Sequence, residues 1–276
     1  MQFRFTTSLA LIVVCSCTTT VSAQTATVEA SSKLKLVWSD EFDGDSLDYS
    51  KWGVEQNAFG GGNNELQIFT DRPENVRVEK GNLILEAHKD NAGISGTVRE
   101  YSSGRIRTKH RGDWKYGRIE VRAKMPKGQG LWPAIWMLPT DEQYGGWAAS
   151  GEIDIMEFRG QNEQEVLGTL HYGGGWPKNT FSGSSFKLKE GSFSDEFHTF
   201  AVDWEEGKMV WSVDGTPYQT QTKWHSDGAK FPAPFDQRFH LLLNLSVGGH
   251  FVGNPDATST FPQQFLVDYV RVYQKS

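Results

Sequence analysis

The chain has 276 residues and a formal net charge of −6, from 28 Lys and Arg against 34 Asp and Glu. That acidic balance argues against a phosphate-backbone partner, so no nucleic-acid role is expected. No apolar run approaches the roughly 20 residues of a bilayer-spanning helix, so no transmembrane segment is expected either.

At the start of the chain, Arg4 precedes an apolar run from Leu9 to Val14 and small residues ending in Val21-Ser22-Ala23. This is the charged, apolar, small-residue order of a secretory signal peptide over residues 1–23. Its removal would leave 276 − 23 = 253 residues and, with Arg4 gone, a charge of −7. A second reading takes Cys17, in Val14-Cys15-Ser16-Cys17, as an acylated lipoprotein anchor. Either way the protein is expected to be secreted or periplasmic. Both cysteines fall in this leader, so the mature chain is expected to have no disulfide and no thiolate site. Residues 24–32 (QTATVEASS) read as a short linker. Residues 33–276 show no composition break, charge block or repeat and read as one domain, expected to act as a monomer.

Glycine contributes 29 of 276 residues, above the usual ~7%, and clusters as Gly60-Gly61-Gly62 and Gly173-Gly174-Gly175. Ten Trp supply rings that suit either a core or flat, half-wet platforms. Asn75 to Glu79 and Asn82 to His88 flank Lys80-Gly81, a hairpin signal. Gly117 to Met125 alternates strictly, with Ile119, Val121, Ala123 and Met125 on one face. Met209 to Val213 runs into Asp214-Gly215, a second hairpin signal. His240 to Val247 is apolar enough for a central strand, and Leu266 to Tyr273 alternates again. No stretch keeps a helical period for twelve residues. The expected fold is all-β, an antiparallel two-sheet sandwich.

The most informative segment is Gly151-Glu152-Ile153-Asp154-Ile155-Met156-Glu157-Phe158. As a strand it places Glu152 and Asp154 on one face, where like charges repel and acids are disfavoured. Glu157 lies five residues past Glu152, so strict alternation puts it on the opposite face. One extra residue in a β-bulge restores the parity, and the flexible Met156 is the expected extra residue. The outer two Cα atoms are then roughly 13 Å apart, so the carboxyl groups must lean inward over Asp154. Two carboxyls about 5–5.5 Å apart suit a retaining glycosidase, and about 6.5–9.5 Å an inverting one. The roles this suggests are Glu152 as nucleophile, Glu157 as acid and then base, and Asp154 as the group that holds the nucleophile by a shared proton and raises the pKa of Glu157.

Ser150-Gly151-Glu152-Ile153-Asp154-Ile155-Met156-Glu157 resembles the catalytic signature of glycoside hydrolase family 16, E-x-D-x-x-E, in the form found in its laminarinase branch. The resemblance extends to Trp38-Ser39-Asp40-Glu41-Phe42, to Gly61-Gly62-Asn63-Asn64-Glu65-Leu66-Gln67, to the run Gly130 to Pro139 and to Val267 to Tyr273. It implies a β-jelly roll with a substrate cleft across its concave sheet that cuts β-1,3-glucan with retention, and it carries the same three catalytic roles onto Glu152, Asp154 and Glu157. It also implies a structural Ca²⁺ away from catalysis, at positions matching Glu41, Asp268 and the Gly81 carbonyl. Oxygen donors of this kind suit calcium. No cofactor is expected for catalysis itself.

Other positions are candidates for sugar binding. Trp132 and Trp136 are four apart and share a strand face, ready to stack on pyranose rings. Trp147 is placed to roof the cleft, and His171 to hydrogen-bond near Asp154 or a sugar. Asn63, Asn64, Glu65 and Arg72 offer hydroxyl-binding groups in a glycine-rich loop. The sequon Asn244-Leu245-Ser246 lies in an apolar strand and reads as chance, with Asn244 facing the cleft. The partner is expected to be a polysaccharide of the β-glucan class. Alternatives are a related hydrolase of mixed-linkage glucan, agar or carrageenan, or a non-catalytic glucan-binding module. The seven His include no paired metal motif.

Overall fold

Short alternating segments, separated by Gly, Asn and Asp turns, fold as strands throughout the computed structural model, which describes residues 34–276 and the terminal pair Met1 and Gln2. The signal-peptide, Cys17 and linker readings lie outside the described residues. Lys33–Ser276 packs as one unit. Among the described residues the only helical segment is a 3-10 turn, Gly60–Gly62, and no helix is long and apolar enough to cross a membrane.

Two large sheets face each other. One runs in the order Asn179–Lys187, Glu165–Gly173, Glu152–Phe158, Leu131–Pro139, Phe239–Val247, Arg105–Arg107 and Gly53–Val54. Asp113–Trp114 also pairs with Phe239–Val247. The other contains Thr216–Gln221, Lys208–Val213, His198–Glu205, Gly117–Lys124, Gln263–Lys275 and Asn82–Lys89, with Leu34–Asp40 alongside Gln263–Lys275. Its pairs are antiparallel except Gln67–Phe69 with Tyr101–Ser103. This is the expected jelly-roll sandwich.

Both hairpin signals fold as the turn chemistry requires. Val76–Glu79 pairs with Asn82–Lys89 across Lys80 (φ 54°) and Gly81 (φ 74°). Lys208–Val213 turns back at Asp214 (φ 48°) and Gly215 (φ 74°). Consecutive positive φ angles are those of the primed turns whose twist matches that of the strands.

Side-chain alternation then decides what each sheet buries. In Gly117–Lys124 the residues Ile119, Val121 and Ala123 are fully enclosed, and the intervening charged residues stay partly wet. In Leu131–Pro139 the core receives Leu131, Ile135 and Met137, while Trp132 and Trp136 stay half-buried on the outer face. Phe239–Val247 is buried along its whole length, as expected for a central strand. The core between the sheets holds Trp204, Trp211, Phe200 and Phe265, each 0–1% exposed. Burying one such side chain stabilises the fold by roughly 1.5–3 kcal/mol. The outer face of the sheet carrying Trp132 and Trp136 is where the acidic strand lies.

Candidate active site

The acidic strand Glu152–Phe158 is held between Leu131–Pro139 and Glu165–Gly173, and its pairing slips on both sides. Against the tryptophan-bearing strand, Glu157 pairs with Ala134, Met156 with Ile135 and Asp154 with Trp136, leaving Ile155 without a partner. On the other flank Asp154 faces Thr169 and Glu157 faces Leu167, so Ile155 and Met156 together oppose Gly168. The expected bulge is present, but its unpaired residue on the tryptophan side is Ile155 rather than Met156. Met156 keeps a partner because Ile135 presents its backbone there. Both Ile155 and Met156 point into the core, 2% and 0% exposed. Two consecutive inward side chains reset the alternation, and Glu157 returns to the face of Glu152 and Asp154.

Indole donors reach the acids at each end of this row. Trp147 Nε1 donates to Glu152 Oε2 at 2.5 Å, and Trp132 Nε1 donates to Glu157 Oε1 at 3.2 Å. His171, opposite Glu152 on the neighbouring strand, brings Nε2 to 3.3 Å from Asp154 Oδ2 and 4.0 Å from Glu152 Oε1. Glu152, Asp154 and His171 offer ligand atoms within 4.8 Å of one another, close enough to hold a cation or to share protons.

Enclosure dominates the electrostatics. Burial, reinforced by the Asp154 charge, pushes Glu152 up to about 8, opposed by His171 and the Trp147 N–H. Burial and then the Glu152 charge push Glu157 up to about 7. Asp154 is also raised well above the usual carboxylate range, by burial first and Glu157 second, with a hydrogen bond to Glu152 acting the other way. Asp154 Oδ2 is buried, and its contact with His171 Nε2 at 3.3 Å falls short of a well-aligned hydrogen bond. With all three raised, the trio carries fewer than three negative charges at neutral pH.

The other candidate positions divide into two groups. Trp136 belongs with the site: its Nε1 donates to Asn244 Oδ1 at 2.7 Å, Asn244 donates to Ser246 Oγ, and Ser246 donates to Glu65 Oε2. Glu65 is buried at 8% exposure and also accepts from Gln67. The expectation of an open loop carboxylate at Glu65 is thus corrected, because this acid closes a buried network. Asn244 and Ser246 are 4% and 3% exposed, so the sequon is enclosed in the strand. Asn63 bonds the Gly61 carbonyl, and the exposed Asn64 bonds His250. Arg72 does not join the group. Its guanidinium is filled by Asn75, Asp90 and Ser102, which fix a turn of the chain.

Sequence reasoning missed Arg105. It is 7% exposed, pairs with Glu55 and lies 4.9 Å over the Trp136 ring. An Arg-Ile-Arg triplet carries no signal that its first member will turn inward. Phe251, 4.8 Å from Trp132 and beneath Arg159, was likewise not legible. Past Glu152, exposed rings continue outward: Trp147 is 5.7 Å from His171 and 6.5 Å from Trp176, and Phe181 is 5.8 Å from His171.

The three positions singled out for calcium lie on the other sheet. Glu41, Gly81 and Asp268 line one surface pocket of about 660 Å³, together with Asp43. Arg271 holds Glu41 in a forked pair at 3.0 and 2.7 Å and keeps its carboxyl below the usual range. Arg122 holds Asp268 at 2.5 Å.

Residues 63–269 match the model of the glycosyl hydrolases family 16. A glucan endo-1,3-beta-glucosidase A1 of Niallia circulans is 44% identical over 92% of this chain, and the match spans 40% of that protein's length. A glucan endo-1,3-beta-glucosidase of Cryptopygus antarcticus is 40% identical over 86% of this chain and 90% of its own. Among solved structures, the catalytic domain of an endo-1,3-beta-glucanase (laminarinase) from Thermotoga petrophila RKU-1 is 38% identical. It superposes with a TM-score of 0.79 over 89% of this chain and 99% of its own.

The raised acids carry a stability consequence. A carboxyl with a raised folded-state pKa binds its proton more tightly folded than unfolded, so stability falls as pH rises from the ordinary carboxylate range through the folded value. For Glu152 that window runs from about 4.5 to about 8. Glu152→Gln removes the cost, so at pH 8 the variant is expected to be the more stable protein by roughly 1–3 kcal/mol. The gap should close near pH 5. Thermal melts of both proteins across that range are the check, and parallel pH curves would contradict the assignment.

Proposed function

The chain belongs to the glycosyl hydrolases of family 16, and from that premise we propose that it is an endo-acting hydrolase of β-1,3-glucan working by double displacement with retention. The observation that carries the reading is the bulged strand that sets Glu152, Asp154 and Glu157 on one face, with an indole donor at each end. Glu152 attacks the anomeric carbon while Glu157 gives its proton to the leaving oxygen. The glycosidic C–O bond breaks and a glycosyl ester forms on Glu152. Glu157, now a carboxylate, takes a proton from the incoming water, whose oxygen attacks the same carbon and frees Glu152. A value near 7 suits Glu157, which must be an acid in one half of the cycle and a base in the other. Glu152 must be ionised when it attacks. The Trp147 N–H and His171 favour that form against burial and the Asp154 charge.

Substrate binding is assigned to the rings and amides around this row. Trp132 and Trp136 present half-buried faces for pyranose stacking, and the Trp136–Asn244–Ser246–Glu65 chain fixes the ring and its polar neighbours. Trp147, Trp176 and Phe181 extend an apolar surface past the reaction centre, which supports an open cleft that grips a chain internally. Laminarin, lichenan and agarose offered side by side, with anomers followed by proton NMR, test the proposal. Laminarin is expected to be cut into oligosaccharides appearing first as β-anomers, and Glu157→Gln to lower kcat by about 10²–10⁴-fold. Activity on agarose alone would replace the substrate class, α-anomers appearing first would replace the mechanism, and binding without cleavage would make the chain a glucan-binding module.

Two further proposals concern the rest of the molecule. Glu41, Asp43, Asp268 and Gly81 offer oxygen donors around one pocket that Lys80, Arg122 and Arg271 also line, which supports a structural Ca²⁺ there that shares its carboxylates with the two arginines. Added calcium is expected to raise the melting temperature and a chelator to lower it, with activity per folded molecule unchanged. A melting temperature indifferent to both would remove the ion. The charged, apolar, small-residue order of residues 1–23 supports export, so a host that secretes through such leaders should release the protein without them. Retention of an uncleaved chain in the cytosol would count against it, and recovery of a lipid-modified form would select the Cys17 reading.

A further inference from the structure

The acidic strand is gripped from beneath by the opposite sheet. Trp211, in Lys208–Val213 and 0% exposed, donates its indole N–H to the backbone carbonyl of Asp154 at 2.9 Å. A strand carbonyl ordinarily points sideways to a neighbouring strand, so one reached from the facing sheet belongs to a peptide that the bulge has rotated. The opposite flank of the bulge is shaped for the same contact. Gly168 faces Ile155 and Met156, and a Cβ there would fall 2.5 Å from Trp211 Cδ1 and 2.6 Å from the Tyr218 hydroxyl. Gln219, paired with Trp211, sends Nε2 toward the Gly168 carbonyl at 3.4 Å. Indole, amide and missing side chain thus converge on the irregularity that aims the carboxylates.

We propose that Trp211 is a positioning residue for the catalytic trio, holding the rotated Asp154 peptide so that Asp154 and Glu157 keep their mutual placement. Trp211 itself touches no substrate and acts only through the strand above it. The inference rests on the hydrolase reading for its kinetic readout, though not for its titration readout.

Trp204 supplies a matched control. It is equally enclosed on the neighbouring strand His198–Glu205, and its indole donates to the Phe235 carbonyl at 3.2 Å, away from the acidic strand. Trp211→Phe and Trp204→Phe each delete one buried indole donor. Both are expected to lower the melting temperature, but only Trp211→Phe is expected to cut kcat on laminarin, by about tenfold or more, with KM little changed. It should also move the alkaline limb of the kcat–pH profile downward by on the order of one unit, because acids that splay apart repel each other less. If Trp211→Phe fails to fold, benzothienylalanine at position 211 keeps the ring shape and replaces the N–H by sulfur, and the same losses are expected. Carbon-13 titration of labelled Asp and Glu carboxyls should show the same downward move without any turnover. Wild-type kcat and an unmoved titration in a folded Trp211 variant would overturn the proposal, as would equal kinetic losses in Trp204→Phe. A wild-type protein inert on laminarin would sink the hydrolase reading instead, and the carboxyl titration would still decide the role of Trp211.

Discussion

Ile155 and Met156 are consecutive and both must be buried, and most of the site follows from that constraint. A pleated strand can send only every second side chain inward. Two inward residues in succession force a bulge, and the bulge puts Glu157 beside Glu152 and Asp154 instead of in the core. Apolar burial therefore does the work of orienting charge. Neither residue is chemically reactive, yet their preference for the interior outweighs the repulsion of three acids on one face.

The repulsion is managed rather than removed. Enclosure raises all three carboxyls, and the raised values mean that protons are shared at neutral pH instead of three charges being held together. Trp147 and Trp132 donate to the outer two acids, and His171 reaches the middle one. The arrangement lowers stability and creates the acid and the base that glycoside chemistry needs near pH 7, a trade common at catalytic sites. The tryptophans whose N–H groups tune the outer acids also expose ring faces beside them, so the two features cannot be varied independently.

Behind this row the two sheets contribute differently. The site sheet carries the carboxylates and the Trp136–Asn244–Ser246–Glu65 chain, in which each side chain hydrogen-bonds the next. The opposite sheet contributes the indole under Asp154 and, on its far side, the pocket of oxygen donors around Glu41 and Asp268. A sandwich allows this division, because each strand has one face for the core and one for the site.

Strand alternation, the two Gly-bearing hairpins and the parity of Glu152, Asp154 and Glu157 were legible in the amino-acid order, because each depends on residues a few positions apart. The choice of Ile155 over Met156 as the unpaired residue was not, since it depends on how Ile135 pairs from the next strand. Arg72 offered a free guanidinium in the sequence, but it is taken up by Asn75, Asp90 and Ser102, the last of them 30 residues away. Glu65 read as a loop acid and became buried when Ser246, 181 residues distant, closed over it. Arg105 and Trp211 carried no local signal at all, because their roles arise from Trp136, two strands away in the same sheet, and from the Asp154 carbonyl on the facing sheet. The sequence by itself determined which residues could alternate, turn and titrate. Long-range pairing decided which of them would meet, because a hydrogen bond or an ion pair needs its partner within about 3 Å, and only the closed sandwich brings distant strands that near.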